Sequence, residues 1–249
     1  MEEVNETIPK IIHYCWFGRG NKPALFIKCL NSWKQYLPDY EFIEWNEDNF
    51  DIEINQFVSE AYKAKKFAFV TDYVRVYALY KHGGIYLDTD TEVCSSFDSF
   101  LMDEAFLGFE EKNFIATSTI GAKSGNPLIG KMLETYEDKS FINPDGSYNM
   151  ITNVSILSSL LSQLGIRLNG QKQELPNIVT IYPQEVFSPY DYINCRNRTT
   201  NQTVTIHHFD QSWLPWHSKL KTSIKVLFAK ILGGDNIALI RHYIQEGKK

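Results

Sequence analysis

Two aspartates one residue apart, Asp88 and Asp90, follow the short apolar run Ile85-Tyr86-Leu87. In an extended chain alternate side chains share a face, so this spacing predicts that both carboxylates point the same way. Converging like charges repel, and a divalent cation is the usual remedy. Upstream, Asp72 and Arg75 stand three apart, the spacing of one helical face. Such a pair is either a plain surface ion pair, worth little, or a carboxylate and a forked guanidinium offering hydrogen bonds to hydroxyl groups. Far downstream, His207 and His208 are adjacent. In a strand they point to opposite faces, so at most one joins the acidic pair. A neutral imidazole there suits an ion of the Mn2+ class; two core or surface histidines are the plainer alternative.

These side chains need elements to hold them. Residues 69–82 read as a helix, with Thr71 able to cap its start. Gly83-Gly84 stops it, because glycine enters the left-handed region without a Cβ clash. Residues 85–87 read as a buried strand that ends in the acidic pair. Near the start, residues 8–17 form an apolar run bounded by Pro9 and Gly18, a central buried strand. In open α/β sheets ligands sit at the carboxyl ends of strands. Cys15 and Trp16 fall at that end, although Trp16 is also a natural core residue. A helix over 24–36 and an alternating strand over 40–45 complete a βαβ opening of Rossmann-like type. Trp45 and Asn46 end that strand, where a site role and a structural one are both open. Further on come a helix over 55–65, strands over 105–109 and 113–122, and a helix from Pro127 to about Tyr136. A long loop over 139–150 follows, a candidate flap. A helix over 153–164 begins at Asn153, which either caps it, the favoured role, or reaches an acceptor, and strands over 178–183 and 203–209 complete the set.

Composition narrows the possibilities. At 249 residues and 43% hydrophobic, the chain can fill one large core. The net charge of −5 argues against general nucleic-acid binding. Four cysteines without metal-ligand spacing read as unpaired thiols of a reducing compartment. No signal peptide and no run of 18 apolar residues is read, and a cytoplasmic location is expected. From His217 onward, seven lysine or arginine residues face two acidic ones. Leu220, Ile224, Leu227, Phe228 and Ile231 make an apolar stripe among them. Such a basic amphipathic helix, over 217–232, either lies on an anionic membrane face or packs on the domain.

The string of helical Asp-x-x-Arg, Gly-Gly, apolar strand and Asp-x-Asp resembles the centre of family 32 glycosyltransferases. These include the yeast initiating mannosyltransferase, bacterial capsule enzymes and, more distantly, the glucosylating clostridial toxins. The resemblance extends to Ile8-Pro9-Lys10-Ile11-Ile12-His13-Tyr14-Cys15-Trp16-Phe17-Gly18 and to Ile206-His207-His208-Phe209-Asp210-Gln211-Ser212-Trp213, so it covers roughly residues 8–216. It implies an α/β fold of GT-A type, a Rossmann-like mixed sheet flanked by helices, over residues 1–216, with 217–249 as an appended tail. It implies a retaining transfer of a hexose from a nucleoside-diphosphate sugar to a glycan acceptor, with Mn2+ or Mg2+ as cofactor. UDP is favoured over GDP by analogy, and surface or capsular polysaccharide synthesis is the expected setting.

By the same resemblance, Trp16 stacks on the base, Asp72 and Arg75 hold the donor sugar's hydroxyls, and Tyr86 lies near the donor. Asp88 meets ribose and sugar, and Asp90 binds the metal. Related transferases supply a histidine that precedes Phe from a C-terminal strand, which favours His208 as the second ligand with His207 in reserve. Cys15, Thr71, Ser212 and Trp213 complete the expected substrate contacts. One departure stands out: where the toxins carry an Asn that touches the donor, this chain has Ala116, followed by Thr117 and Ser118. No carboxylate stands apart as a nucleophile, which favours a front-face reaction with the leaving phosphate as base. A lipid-linked acceptor would give the basic tail a reason to sit on a membrane. Two other readings are a glycan-binding protein without transfer and a haloacid-dehalogenase-type phosphatase. The second expects Thr or Val two residues after the second aspartate, where this chain has Glu92.

Overall fold

The structure is a computed structural model that describes residues 7–111, 113–192 and 194–210. Ser212, Trp213 and the basic tail lie outside the described residues. In chain order the first elements are β1 (Ile11–Cys15), α1 (Ala24–Tyr36), β2 (Glu41–Trp45), α2 (Gln56–Lys63), α3 (Phe67–His82), β3 (Gly84–Leu87) and β4 (Thr91–Val93). Then come β5 (Ala105–Glu111), β6 (Phe114–Ile115), β7 (Thr119–Ala122), α4 (Pro127–Glu134) and α5 (Asn153–Gln163). The last are β8 (Gln173–Leu175), β9 (Val179–Tyr182), α6 (Gln184–Phe187), β10 (Tyr190–Asp191), β11 (Arg196–Asn197) and β12 (Thr205–His207).

The main sheet runs β2-β1-β3-β7-β5-β9-β8, with β6 added to β5. β1 is parallel to β2 and β3, as a βαβ opening requires. β7 then enters antiparallel to both β3 and β5. The result is a Rossmann-like parallel half continued by one that is antiparallel except where β5 and β9 pair in parallel, the mixed GT-A arrangement that the sequence led us to expect. The period of two along each strand sorts the core. Ile12 and Tyr14 of β1 and Ile85 and Leu87 of β3 join the layer under α1, with Phe26 and Trp33. Cys15 and Tyr86 face the other way, into the layer of α2 and α3. Helix α3 contributes Val70, Val74, Ala78 and Leu79 to that layer, all without exposed surface.

Several expectations shift. Helix α3 begins at Phe67, so Thr71 lies within it and caps nothing. The stretch 113–122 is two strands, because the chain leaves β5's edge after Ile115 and rejoins the sheet at Thr119. Thr152, not Asn153, caps α5 by accepting from the Ser155 amide. Finally, β3 stops at Leu87, and Asp88 to Thr91 form a turn closed by the Thr91 amide on the Asp88 carbonyl at 2.9 Å. The two aspartates therefore converge through a turn and not along an extended strand.

Candidate active site

The glycine pair fixes where α3 ends and β3 begins. Gly83 has φ +65° and Gly84 φ +103°. A Cβ on Gly84 would stand 2.7 Å from the Ile11 carbonyl oxygen. Below them lies His13, fully buried in β1. Trp45 Nε1 donates to its Nδ1 at 3.1 Å, so its proton is on Nε2, 2.8 Å from the Gly83 carbonyl it donates to. Burial lowers this imidazole to about 4, so it stays neutral. Trp45 is thus a structural residue, of the two roles the sequence left open. Neither His13 nor this bond is legible from spacing.

Arg75 and Asp72 are no surface pair. Both side chains are buried, with 7% and 13% of their surface exposed, and Arg75 Nη2 lies 3.1 Å from Asp72 Oδ1. The same nitrogen lies 3.3 Å from Asp88 Oδ1. Arg75 Nη1 donates to the Thr117 carbonyl at 2.6 Å, and the guanidinium sits 4.6 Å from the Tyr86 ring centre. Tyr86 in turn donates its hydroxyl proton to Asp88 at 2.9 Å. One cation serves two enclosed carboxylates, and burial raises Asp72 to about 6 despite Arg75 beside it. The Asp72 carbonyl accepts from Asn153 Nδ2 at 2.6 Å, and Asn153 accepts from the Tyr136 hydroxyl. Asn153 therefore ties α5 to α3 and to the turn after α4, a role that a cap assignment hides.

The acidic turn is completed from the far end of the chain. β12 runs antiparallel to β4, with His207 opposite Thr91. The amides of His208 and Asp210 donate to the Asp90 carbonyl and carboxylate at 3.0 and 2.9 Å. This register turns His207 inward, its Nε2 3.3 Å from Asp90 Oδ1. His208 points to the opposite face, 2.8 Å from Glu92 Oε2, which also takes Lys28 at 2.6 Å. The preference for His208 is thus corrected in favour of His207. What decides it is the β12–β4 register, which residue order alone does not supply. Phe209 leaves the strand at φ +52° and lays its ring 4.0 Å from that of His207.

Asp88, Asp90 and His207 each bring a ligand-type atom within 4.8 Å of the others. The charges of His207 and Asp90 act strongly on each other. Burial works to lower His207, but the Asp90 charge and hydrogen bond raise it to about 9. Burial works to raise Asp90, yet His207 and the Asp210 amide hold it near about 2. His207 Nδ1 is buried without a partner. Two carboxylates and an imidazole are a donor set that fits Mn2+ or Mg2+.

These groups open into a cleft of about 850 Å3. Cys15, Trp16, Thr71, Asp72, Arg75, Tyr86, Asp88, Asp90 and His207 all line it, so the structure gathers nearly every expected position. Trp16 lies 5.3 Å from the Phe26 ring and donates Nε1 to the Gly20 carbonyl at 2.8 Å, leaving part of its surface open. The Cys15 thiol is buried, which pushes its pKa up, so it serves as lining and not as a nucleophile. Glu110 also faces the cleft, and the sequence analysis missed it. Its signal was an acid closing the apolar strand Ala105-Phe106-Leu107-Gly108-Phe109.

Residues 23–107 match the family model described as the glycosyltransferase sugar-binding region containing a DXD motif. Asp88-Thr89-Asp90 is the one Asp-x-Asp in that stretch. Over that stretch the chain is similar to the DXD glycosyltransferase sugar-binding region. Among curated relatives, inositol phosphoceramide mannosyltransferase 3 of Schizosaccharomyces pombe is 29% identical over 131 residues, 49% of this chain and 35% of the relative. Mannosyl phosphorylinositol ceramide synthase CSH1 of Saccharomyces cerevisiae is 26% identical over 142 residues, 54% of this chain and 36% of the relative. The chain thus spans about a third of the length of these two relatives. Among solved structures, the PaToxG glycosyltransferase has a TM-score of 0.49 at 19% identity, over 64% of this chain and 70% of that one. The galactosyltransferase LgtC, in complex with donor and acceptor sugar analogs, has a TM-score of 0.44 at 14% identity, over 92% and 94%.

Proposed function

We propose that this DXD glycosyltransferase region moves a hexose from a nucleoside-diphosphate sugar to a hydroxyl of a glycan acceptor, with retention of anomeric configuration. The observation that carries the reading is the convergence of Asp88, Asp90 and His207 at the edge of a cleft furnished with a buried Asp72–Arg75 pair. Asp88, Asp90 and His207 would hold a divalent ion, which supplies positive charge opposite the leaving diphosphate. Trp16, partly open and backed by the buried Phe26, offers an aromatic face to the base. Asp72 and Arg75 accept and donate hydrogen bonds to the sugar's hydroxyls and orient it. Arg75 is itself held by Thr117 and Tyr86, so its fork does not swing away. The incoming hydroxyl passes its proton to the departing phosphate.

Analogy with the resembled family favours a UDP-hexose, and the names of the relatives bring mannose forward as a second sugar to test. Capsular or surface polysaccharide synthesis at the inner face of the cytoplasmic membrane, through residues 217–232, is our proposed setting. No helix among the described residues is long and apolar enough to cross a membrane.

The test is mass-spectrometric turnover of a panel of UDP- and GDP-hexoses with Mn2+, with Asp90→Ala beside the wild type. One donor consumed by the wild type and spared by the variant supports the reading and names the sugar. No donor consumed, together with glycan binding that ignores nucleotide and metal, would replace it with a binding protein.

A further inference from the structure

One carboxylate facing the cleft has no part in the scheme above. Glu110 stands near the end of β5, where the ladder with β6 is irregular. Phe109 pairs with Ile115 and Glu111 with Phe114, so Glu110 is the extra residue of a bulge. A bulge re-aims the side chain it carries, and this one lines the cleft together with Thr117, Ser118 and Phe209. Its surface is partly open to the cleft, while the surrounding protein pushes its carboxyl up, chiefly by burial. The charges that bear on it most are those of His207, Glu111, Asp88 and Asp90. It therefore stands on the metal-ligand side of the cleft. It is not one of the three residues whose ligand atoms converge. No hydrogen bond or ion pair among the described residues engages its carboxylate.

An enclosed carboxylate without a partner is costly, and what relieves it is a set of hydroxyl donors or a cation. The leaving diphosphate is an anion and is repelled. A neutral, hydroxyl-rich molecule is not. We propose that Glu110 forms the acceptor subsite, accepting hydrogen bonds from ring hydroxyls of a neutral sugar and discriminating against acceptors that carry a carboxylate. This rests on the glycosyltransferase reading. In the transfer, a bond forms between an acceptor oxygen and the donor's anomeric carbon. The bond from that carbon to the phosphate oxygen breaks, its electron pair leaves on the diphosphate, and the acceptor proton goes to that phosphate. Glu110 is unchanged throughout, and holds hydroxyls next to the one that attacks.

The experiment uses the full chain with Mn2+ and whichever nucleotide sugar the wild type consumes. Methyl hexopyranosides are offered as neutral acceptors and methyl hexuronides as anionic ones, and products are read by mass spectrometry. Calorimetry measures UDP and GDP binding with Mn2+ for wild type, Glu110→Gln and Glu110→Asp, and a thermal melt reports folding. The expected result is transfer to a neutral glycoside at least about tenfold above that to its uronide, and a loss of about 10- to 100-fold in kcat/KM for the neutral acceptor in Glu110→Gln. The preference for neutral over anionic acceptor narrows in that variant, nucleotide affinity stays within about threefold, and Glu110→Asp falls between. Three results overturn the proposal: an unchanged neutral-to-anionic ratio in a folded Glu110→Gln, nucleotide and metal binding lost in parallel with transfer, or a wild type that consumes donor yet transfers to no glycoside. A wild type that consumes no donor instead strikes the glycosyltransferase reading, and the acceptor subsite falls with it.

Discussion

His207 Nε2 lies 3.3 Å from Asp90 Oδ1, though 117 residues of chain separate the two. Asp90 raises His207 to about 9 against burial, and His207 helps hold Asp90 down to about 2. The signs follow. A histidine raised on folding contributes stability fully below its unfolded value, near 6.5, and loses it as pH rises through 9. A depressed aspartate contributes above its unfolded value, near 3.8, and loses it as pH falls toward 2. In metal-free buffer the melting temperature should therefore fall between pH 6.5 and 9, and His207→Gln should flatten that slope. Metal needs the neutral imidazole, so Mn2+ binding should tighten over the same range and release protons, which calorimetry in two buffers detects.

The two histidines should separate cleanly. His207→Ala removes a donor from the cluster and should weaken Mn2+ binding by at least about tenfold. His208→Ala breaks a contact with Glu92 on the other face and should cost less metal affinity than His207→Ala. Calorimetric titration of both variants with Mn2+ and UDP decides it. Equal losses would mean that neither imidazole is a ligand.

Replacing Arg75 by Leu leaves Asp72 and Asp88 enclosed without their cation. The cost at pH 7 should be about 3 kcal/mol, read by urea denaturation. Asp72 already titrates near about 6, and without Arg75 its proton is held more tightly. The penalty should therefore shrink at pH 5, where that carboxyl is neutral.

Gly84→Ala should destabilise by at least about 2 kcal/mol. The new Cβ would meet the Ile11 carbonyl at 2.7 Å and His13 Nε2 at 3.1 Å, on a backbone held at φ +103°. Gly146→Ala, also at positive φ but with open space around it, is the control that isolates the clash from backbone strain. Equal losses in the two variants would assign the whole effect to the backbone.

What the sequence carried, it carried through period and punctuation. The run Ile11–Cys15, the glycine pair and the acids after Leu87 each announce themselves locally, and the structure assembles them as expected. What it hid depends on partners distant in sequence. The bulge that turns Glu110 inward exists only through pairing with β6. The choice of His207 over His208 exists only through pairing with β4. His13 looked like one more residue in an apolar strand until Gly83 and Trp45 arrived on its two nitrogens. Asn153 read as a cap because asparagine commonly is one, and Thr152 had the better position.

The segment that matches the family model ends at residue 107, a hundred residues before His207. Asp72, Arg75 and the two acids thus lie in one continuous stretch, but the imidazole arrives only when β12 docks on β4, across a separation of 120 residues between Asp90 and Asp210. A half-formed chain can bury its sheet and still lack the third ligand. Tight binding of the proposed cation would accordingly report the last long-range closure of the described fold, and a metal titration followed during refolding would time that closure without any substrate.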